Sequence, residues 1–390
     1  MQTTFQNETR ILFNEFSTSE GITELYITAT SRDDATFIEA LEEIKDAYRS
    51  VLSDLGLDGQ TLQFTRVYVS DATNEYQVLL QSELYEILSN GAISVIEQSP
   101  LCGPLSVLCY HLKSETGTLQ KTISRNPETS VQNLYLKGRH YNLFWNAHGI
   151  SNGKDSFEQT NTVFSDLSKN LEKYKMDVRH NTVRTWIYVR DIDNNYKGMV
   201  VARRELFSKI GLTNKTRYIA STGIEGSSAE TDALVAMDSL SIGNLKEEQI
   251  VRMEAPENLS STIIYGVTFE RGLKILFGDR AHLYISGTAS IDCNGEIMFP
   301  GDIRGQAERT LDNIEALLKP HGAQLENMQY LIIYLRNKKQ FQFIQDILSL
   351  RLPASIPVIA VEGSVCRPGW LIEIEGVAIV EETTAYPPFI

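Results

Sequence analysis

The stretch Val365–Val380, reading VCRPGWLIEIEGVAIV, is the strand around which the chain is organised. Cys366 and Arg367 form a turn with Pro368 and Gly369, and Leu371–Val380 then alternates with the period of two of a β-strand. Alternation puts Glu373 and Glu375 on one face with Val377 and Ile379, and Ile372, Ile374 and Ala378 on the other. A carboxylate on a strand otherwise apolar on both faces is costly to bury unless it is paired or protonated. Two readings compete: a structural ion pair or wet face, and an acid held in a site.

Working outward, this strand closes the last of three stretches with a common grammar. Each opens with a strand: Leu25–Thr30, Leu143–His148 and Leu283–Thr288. An amphipathic helix follows, over Phe37–Leu55, roughly Thr160–Lys173 and roughly Ile303–Leu318, each with an apolar stripe at three- and four-residue spacing. Gly322 is placed to stop the third helix. A β-branched and aromatic strand comes next, at Arg66–Val69, Trp186–Val189 and Ile332–Leu335. A shorter helix then carries Glu83–Tyr85, Glu205–Phe207 or Ile347–Ser349, and two strands close each unit. The closing strands lie near Leu105–Leu112, Ala233–Ile242 and Leu371–Val380. The order is β-α-β-α-β-β, an α+β class, with room for one more strand at the start. The expected division is unit 1 over 1–115, a linker over 116–135, unit 2 over 136–272, unit 3 over 273–380 and a loose tail over 381–390.

Composition narrows the function classes. The chain has 390 residues, 42% of them hydrophobic and 22% charged, as in ordinary globular proteins of two or three domains. No apolar run approaches the roughly 18–20 residues of a membrane span, and the N-terminus does not read as a signal peptide. The four cysteines (102, 109, 293 and 366) have no metal-ligand spacing, which points to free thiols and the cytoplasm. A net charge of −14 without a Lys/Arg cluster argues against a nucleic-acid groove. The six histidines are scattered, so no metal site is expected. There is no GxGxxG, Walker A or GxSxG, hence no expected cofactor and no serine hydrolase. Gly223–Gly226 reads as a hairpin connection.

The third copy resembles the RidA/YjgF superfamily (endoribonuclease L-PSP-like), through ISGTASID (285–292), GDIRGQAERTLDNIEALLKPHGAQLENM (301–328) and the closing EIEGVAI. The resemblance implies a fold like the small chorismate mutase, usually a homotrimer with clefts between subunits. Three copies in one chain then imply a pseudo-trimer, expected as a monomer, with higher assembly left open. In the superfamily's imine and enamine deaminases an arginine holds the substrate carboxylate and a last-strand glutamate acts, here Glu373. Copy three has Pro357-Val358-Ile359 where that arginine belongs. Copy two has Arg217 there, in TRYIASTG, but its last strand LVAMDSL offers no matching glutamate.

A second resemblance, to the chorismatases, spans more of the chain. It rests on Ser286–Ile291, Gly301-Asp302, and Val365-Cys366-Arg367 with Glu373–Gly376. Arg203 in ARRELF and Arg271 in FERG add to it, while Trp186-Ile187-Tyr188 and Tyr265–Thr268 depart from the pattern. This resemblance implies a small carboxylated metabolite as partner, with Glu373 as proton donor. Arg203, Arg217 and Arg271 are the candidate carboxylate clamps, since arginine grips a carboxylate with two parallel bonds. Cys366 and Tyr265 are expected to line the pocket. The expected activity is cleavage of a carboxylated enol ether, or of an enamine or imine. The alternatives are a non-catalytic ligand-binding member of the family and, third, the family's older endoribonuclease and translation-inhibitor label.

Overall fold

In the computed structural model, residues 8–115, 117, 119–126 and 131–390 are described; the side chains of Ile263 and Tyr265 are not among them. Three mixed sheets follow one another along the chain. The first contains β1 (Arg10–Ser17), β2 (Ile22–Thr30), β3 (Leu62–Val69), β4 (Ala92–Glu97) and β5 (Leu105–Ser114), in the order β1-β2-β5-β3-β4. The second contains β6 (Gln120–Arg125), β7 (Gln132–Lys137), β8 (Asn142–Ile150), β9 (Thr182–Val189), β10 (Ala220–Glu225) and β11 (Val235–Gly243), in the order β10-β9-β11-β8-β7-β6. The third contains β12 (Ile250–Arg252), β13 (Gly272–Leu276), β14 (Arg280–Ala289), β15 (Met328–Leu335), β16 (Val358–Glu362) and β17 (Ile372–Glu381), in the order β12-β13-β14-β17-β15-β16. Within each lies the same four-strand wiring: opening strand, closing strand, middle strand, and a parallel partner on the far side. The α+β class and the threefold repetition are those read from the sequence.

The helices follow local signals closely. Helix α1 (Phe37–Leu55) starts at a capping box between Thr36 and Glu39 and stops at Gly56, whose φ of 60° suits glycine. In the first unit the second helical segment is broken into α2 (Ala72–Leu80) and α3 (Glu83–Leu88). Helix α4 (Ser156–Glu172) begins four residues before the expected start, at the Asp155 cap, because its polar first turn is buried through Ser156, Gln159 and Thr160. The short α5 (Val178–Asn181) precedes β9. Helix α6 (Ile192–Ile210) is a single 19-residue helix rather than the short one expected around Glu205–Phe207. Helix α7 (Ile303–Leu318) buries Leu311, Ile314, Leu317 and Leu318 on its sheet, and α8 (Gln345–Arg351) is short.

Three expectations fail. The polar stretch expected as a linker carries β6 and β7, which extend the second sheet from β8; the remainder of that stretch lies outside the described residues. An edge strand faces water on one side, so its Ser, Thr and Lys content imitates a linker. The tail is not loose either. Phe389 is buried, its amide donates to Asp279 Oδ1 at 2.8 Å, and its ring lies 4.8 Å from Phe277 and 4.7 Å from His282. Strand β12, ahead of the expected start of unit 3, pairs through β13 into its sheet, and β13 itself begins at Gly272, one residue before that start.

The sheets meet through a shared core that runs across all three. Tyr68, Tyr188 and Tyr334 occupy corresponding places on β3, β9 and β15 and are fully buried. Each boundary also carries a buried ion pair: Arg66–Asp238 between sheets 1 and 2, Arg184–Glu375 between 2 and 3, and Arg280–Glu24 between 3 and 1. His282 adds a second bond to Glu24 at 2.8 Å. Such pairs contribute little net stability, but losing one partner leaves an uncompensated charge, and they fix which surface meets which. Among the described residues no helix is long and apolar enough to cross a membrane.

Candidate active site

A cleft of about 490 Å³, its open mouth included, lies between the second and third sheets. The second unit supplies Tyr196 and Arg203 from α6 and Ser221 and Gly223 from β10; the third supplies Gly287 and Ala289 from β14 and Cys366, Arg367, Trp370 and Glu373 from the last turn and strand. Phe269 and Arg271, on the segment entering β13, line the floor between them. That segment is held in place by the bulge of β14. Ser286 Oγ donates to the Glu270 carbonyl at 2.6 Å, and its amide to the Arg271 carbonyl at 3.0 Å. Ser286 Oγ in turn accepts the Ser221 amide at 2.8 Å.

Glu373 is 4% exposed, on β17 opposite Ala289 and Tyr334. The turn before it is fixed from α7: Gln306 Oε1 accepts the Leu371 amide at 2.9 Å and Gln306 Nε2 donates to the Gly369 carbonyl at 2.9 Å. Burial first, and then the neighbouring charge of Glu375, push the Glu373 carboxyl up to about 8, against smaller opposing effects of Arg271 and Arg184. At neutral pH it is therefore mostly in the acid form. Gly287 is required beside it, since a Cβ there would overlap Glu373 Oε1.

The arginines divide. Arg203 is 2% exposed; Nη1 donates to Ser221 Oγ at 3.2 Å, while Nε has no partner among the described residues. Arg271 donates Nε and Nη2 to the Ser260 carbonyl at 3.2 and 3.1 Å, and burial lowers it to about 10, leaving it cationic at neutral pH. Both guanidinium groups face the Phe269 ring, at 6.0 and 5.5 Å. Arg217 does not join them. It lies ahead of β10, buried, and donates to the carbonyls of Thr182, Tyr218 and Arg179, a structural tie that the sequence pattern could not tell from a ligand clamp. The Tyr265 side chain falls outside the described residues.

Cys366 lines the cleft. Burial and the nearby Glu373 push its thiol up to about 12, so it stays protonated and is a poor nucleophile. Sequence reasoning missed Tyr196 and Ser221. Tyr196 lies seven residues, two helical turns, before Arg203, so both fall on one face of α6, and that spacing was the available signal. Gly223 is not in a hairpin but inside β10, where a Cβ would stand 3.4 Å from the Tyr196 ring and 3.3 Å from Met199. The glycine serves close packing of helix on strand. Among the described residues no group of His, Cys, Asp and Glu has the geometry to hold a metal ion.

The repeated wiring and an inter-sheet cleft define a three-unit, pseudo-trimeric α+β protein. The chain belongs to the RidA/RutC family: the family described as Endoribonuclease L-PSP matches residues 277–380. A RutC family protein of Pyrococcus abyssi is 31% identical over 100 residues, 25% of this chain and 79% of that relative. The chain is also similar to a chorismatase of Streptomyces hygroscopicus, at 26% identity over 215 residues, which is 50% of this chain and 60% of the chorismatase. A crystal structure of chorismatase superposes over 83% of this chain and 95% of its own with a TM-score of 0.63 at 17% identity, a likeness of fold.

Proposed function

We propose that the cleft between the second and third sheets is the active site of an enzyme that protonates the methylene carbon of a small carboxylated enol ether resembling chorismate. The observation that carries this reading is Glu373, a buried acid pushed up to about 8 in the same cleft as Arg203 and Arg271. An enol ether opens when a proton reaches its terminal carbon, and a carboxylic acid delivers that proton well when its pKa lies near the working pH. Arg203, whose Nε has no partner among the described residues, suits the substrate carboxylate, with Arg271, which also faces the Phe269 ring, as a second cation. Water then adds to the oxocarbenium carbon, and collapse of the hemiketal releases pyruvate and an alcohol. The similarity to the Streptomyces chorismatase supports this class of substrate.

The test is incubation with chorismate, following its loss and the appearance of pyruvate, beside Glu373→Gln. Turnover that the substitution abolishes establishes the reading. Absence of turnover retires chorismate and moves the search to enamines, imines and plain ligand binding. A ribonuclease activity has no support in a narrow cleft on a chain of charge −14.

A further inference from the structure

Two residues beyond Glu373, Glu375 is fully buried and more heavily bonded than any role in strand pairing requires. Its Oε2 accepts from Arg184 of β9 and from Thr222 Oγ1 of β10, and its Oε1 accepts from Tyr334 at 2.9 Å. Thr222 Oγ1 also accepts the Gly287 amide at 2.9 Å and a bond from Arg184 Nη2 at 2.7 Å. The bulge of β14 puts Ser286 and Gly287 opposite Glu375, and Gly287 is the wall against which the Glu373 carboxyl rests. A continuous path therefore runs from the Arg184–Glu375 pair through Thr222 and Gly287 to the cleft acid.

A purely structural pair has a built-in comparison. Asp238 stands at the place on β11 that Glu375 holds on β17, opposite the corresponding bulge of β8 and paired with Arg66. Two residues before Asp238 is Ala236, with no acid to act on.

We propose that Glu375, held by Arg184 and Thr222, is a positioning residue for Glu373, acting on it through its charge and through the Gly287 wall. This rests on the reading of Glu373 as the proton donor. Among the described residues, the charged and titratable groups facing Glu373 are Glu375 on its own strand, Tyr334 from β15, Arg184 from β9, Arg271 from the segment before β13, Cys366 from the turn and Tyr196 from α6, with Arg203 and Arg367 in the same cleft. Of the charges acting on it, Glu375 has the largest effect, and that effect raises it.

The experiment is a carbon-13 NMR titration of glutamate carboxyls in the full chain, with the Glu373 signal assigned by its loss in Glu373→Gln. Glu375→Gln is expected to move the Glu373 midpoint down by about one unit or more, since removing a like charge favours the anion. Asp238→Asn is expected to leave it in place. If Glu375→Gln does not fold, the neutral pair R184Q/E375Q is used, and its midpoint must also fall, by a smaller step. A folded variant with an unmoved midpoint overturns the proposal and leaves Glu375 as an interface ion pair. Because the readout needs no substrate, failure to turn over chorismate overturns the proposed reaction without touching this result. Where turnover is found, the high-pH limb of the rate profile must move down with the NMR midpoint.

Discussion

The boundary between sheets 2 and 3 and the boundary between sheets 1 and 2 are built on one plan. Each has a closing strand with a buried acid, Glu375 or Asp238, each acid meets an arginine from the preceding sheet, and each faces a two-residue bulge. What differs is the pair of residues where chemistry would happen. At the first boundary Glu373 rests on Gly287. At the second, Ala236 takes the place of the acid, and the bulge carries His148, buried, with φ of 56° and Nδ1 without a partner among the described residues. Burial lowers the His148 imidazole to about 4, so it is neutral there. The shared features hold sheets together, and the unshared ones mark the cleft.

The largest expected effect is at the unshared acid. Glu373→Gln should lower turnover by about 10²–10⁴-fold if Glu373 delivers the proton, measured by pyruvate release. Gly287→Ala comes next: the new methyl must displace the carboxyl, and misplacement of about 1 Å costs roughly 10²-fold in rate with the fold retained. Asp238→Asn breaks the comparison from the other side. It should destabilise the protein by about 3–5 kcal/mol in denaturant titrations, as removing one partner of a buried pair does, without moving the Glu373 titration.

A pH test sharpens the contrast. Glu373 is raised in the folded state, so the unfolded chain releases this proton first, and its contribution to stability falls as pH rises from about 4.5 to about 8. Glu373→Gln should therefore be more stable than the wild type at pH 7, by a few kcal/mol at most (about 1.4 kcal/mol per pH unit above 4.5), and the gap should close on acidification to pH 4.5. Thermal melts across that range check it. Arg203→Lys should raise KM for a carboxylated ligand by roughly tenfold, because the planar fork is lost, whereas Arg217→Lys should lower the melting temperature and leave KM in place. The smallest effect is expected for Cys366→Ser, a change of less than about tenfold in turnover, since a thiol pushed up to about 12 is not the nucleophile.

Much of the architecture was legible residue by residue. Helices α1 and α7 have the bounds expected from their stripes, because a cap and an apolar period act within a few residues of one another. The repeated order of strands was also readable, and of the residues singled out from sequence Glu373, Arg203, Arg271 and Cys366 line one cleft while Arg217 does not. The edge strand β6 was not, since a strand wet on one side has the composition of a linker, and β7, paired between β8 and β6, begins within the same polar stretch. The correspondence between copies was off by one in the opening strands. Aligned by sequence, Ala147 falls on Gly287; in the sheets His148 does, because strand pairing sets Phe144 against Ser241 as it sets Leu283 against Ala378.

The sequence alone determined the class of fold, its threefold repetition and the kinds of side chain available for chemistry, because these depend on periodicity, capping and residue type over short spans. Only the tertiary structure decided which arginines meet Glu373, that Arg217 is spent on backbone carbonyls, and that Glu375 rather than solvent faces the cleft acid. Those outcomes depend on the approach of strands up to 191 residues apart, as Arg184 and Glu375 are. The desolvation that pushes Glu373 up to about 8 exists only once the sheets have closed around it.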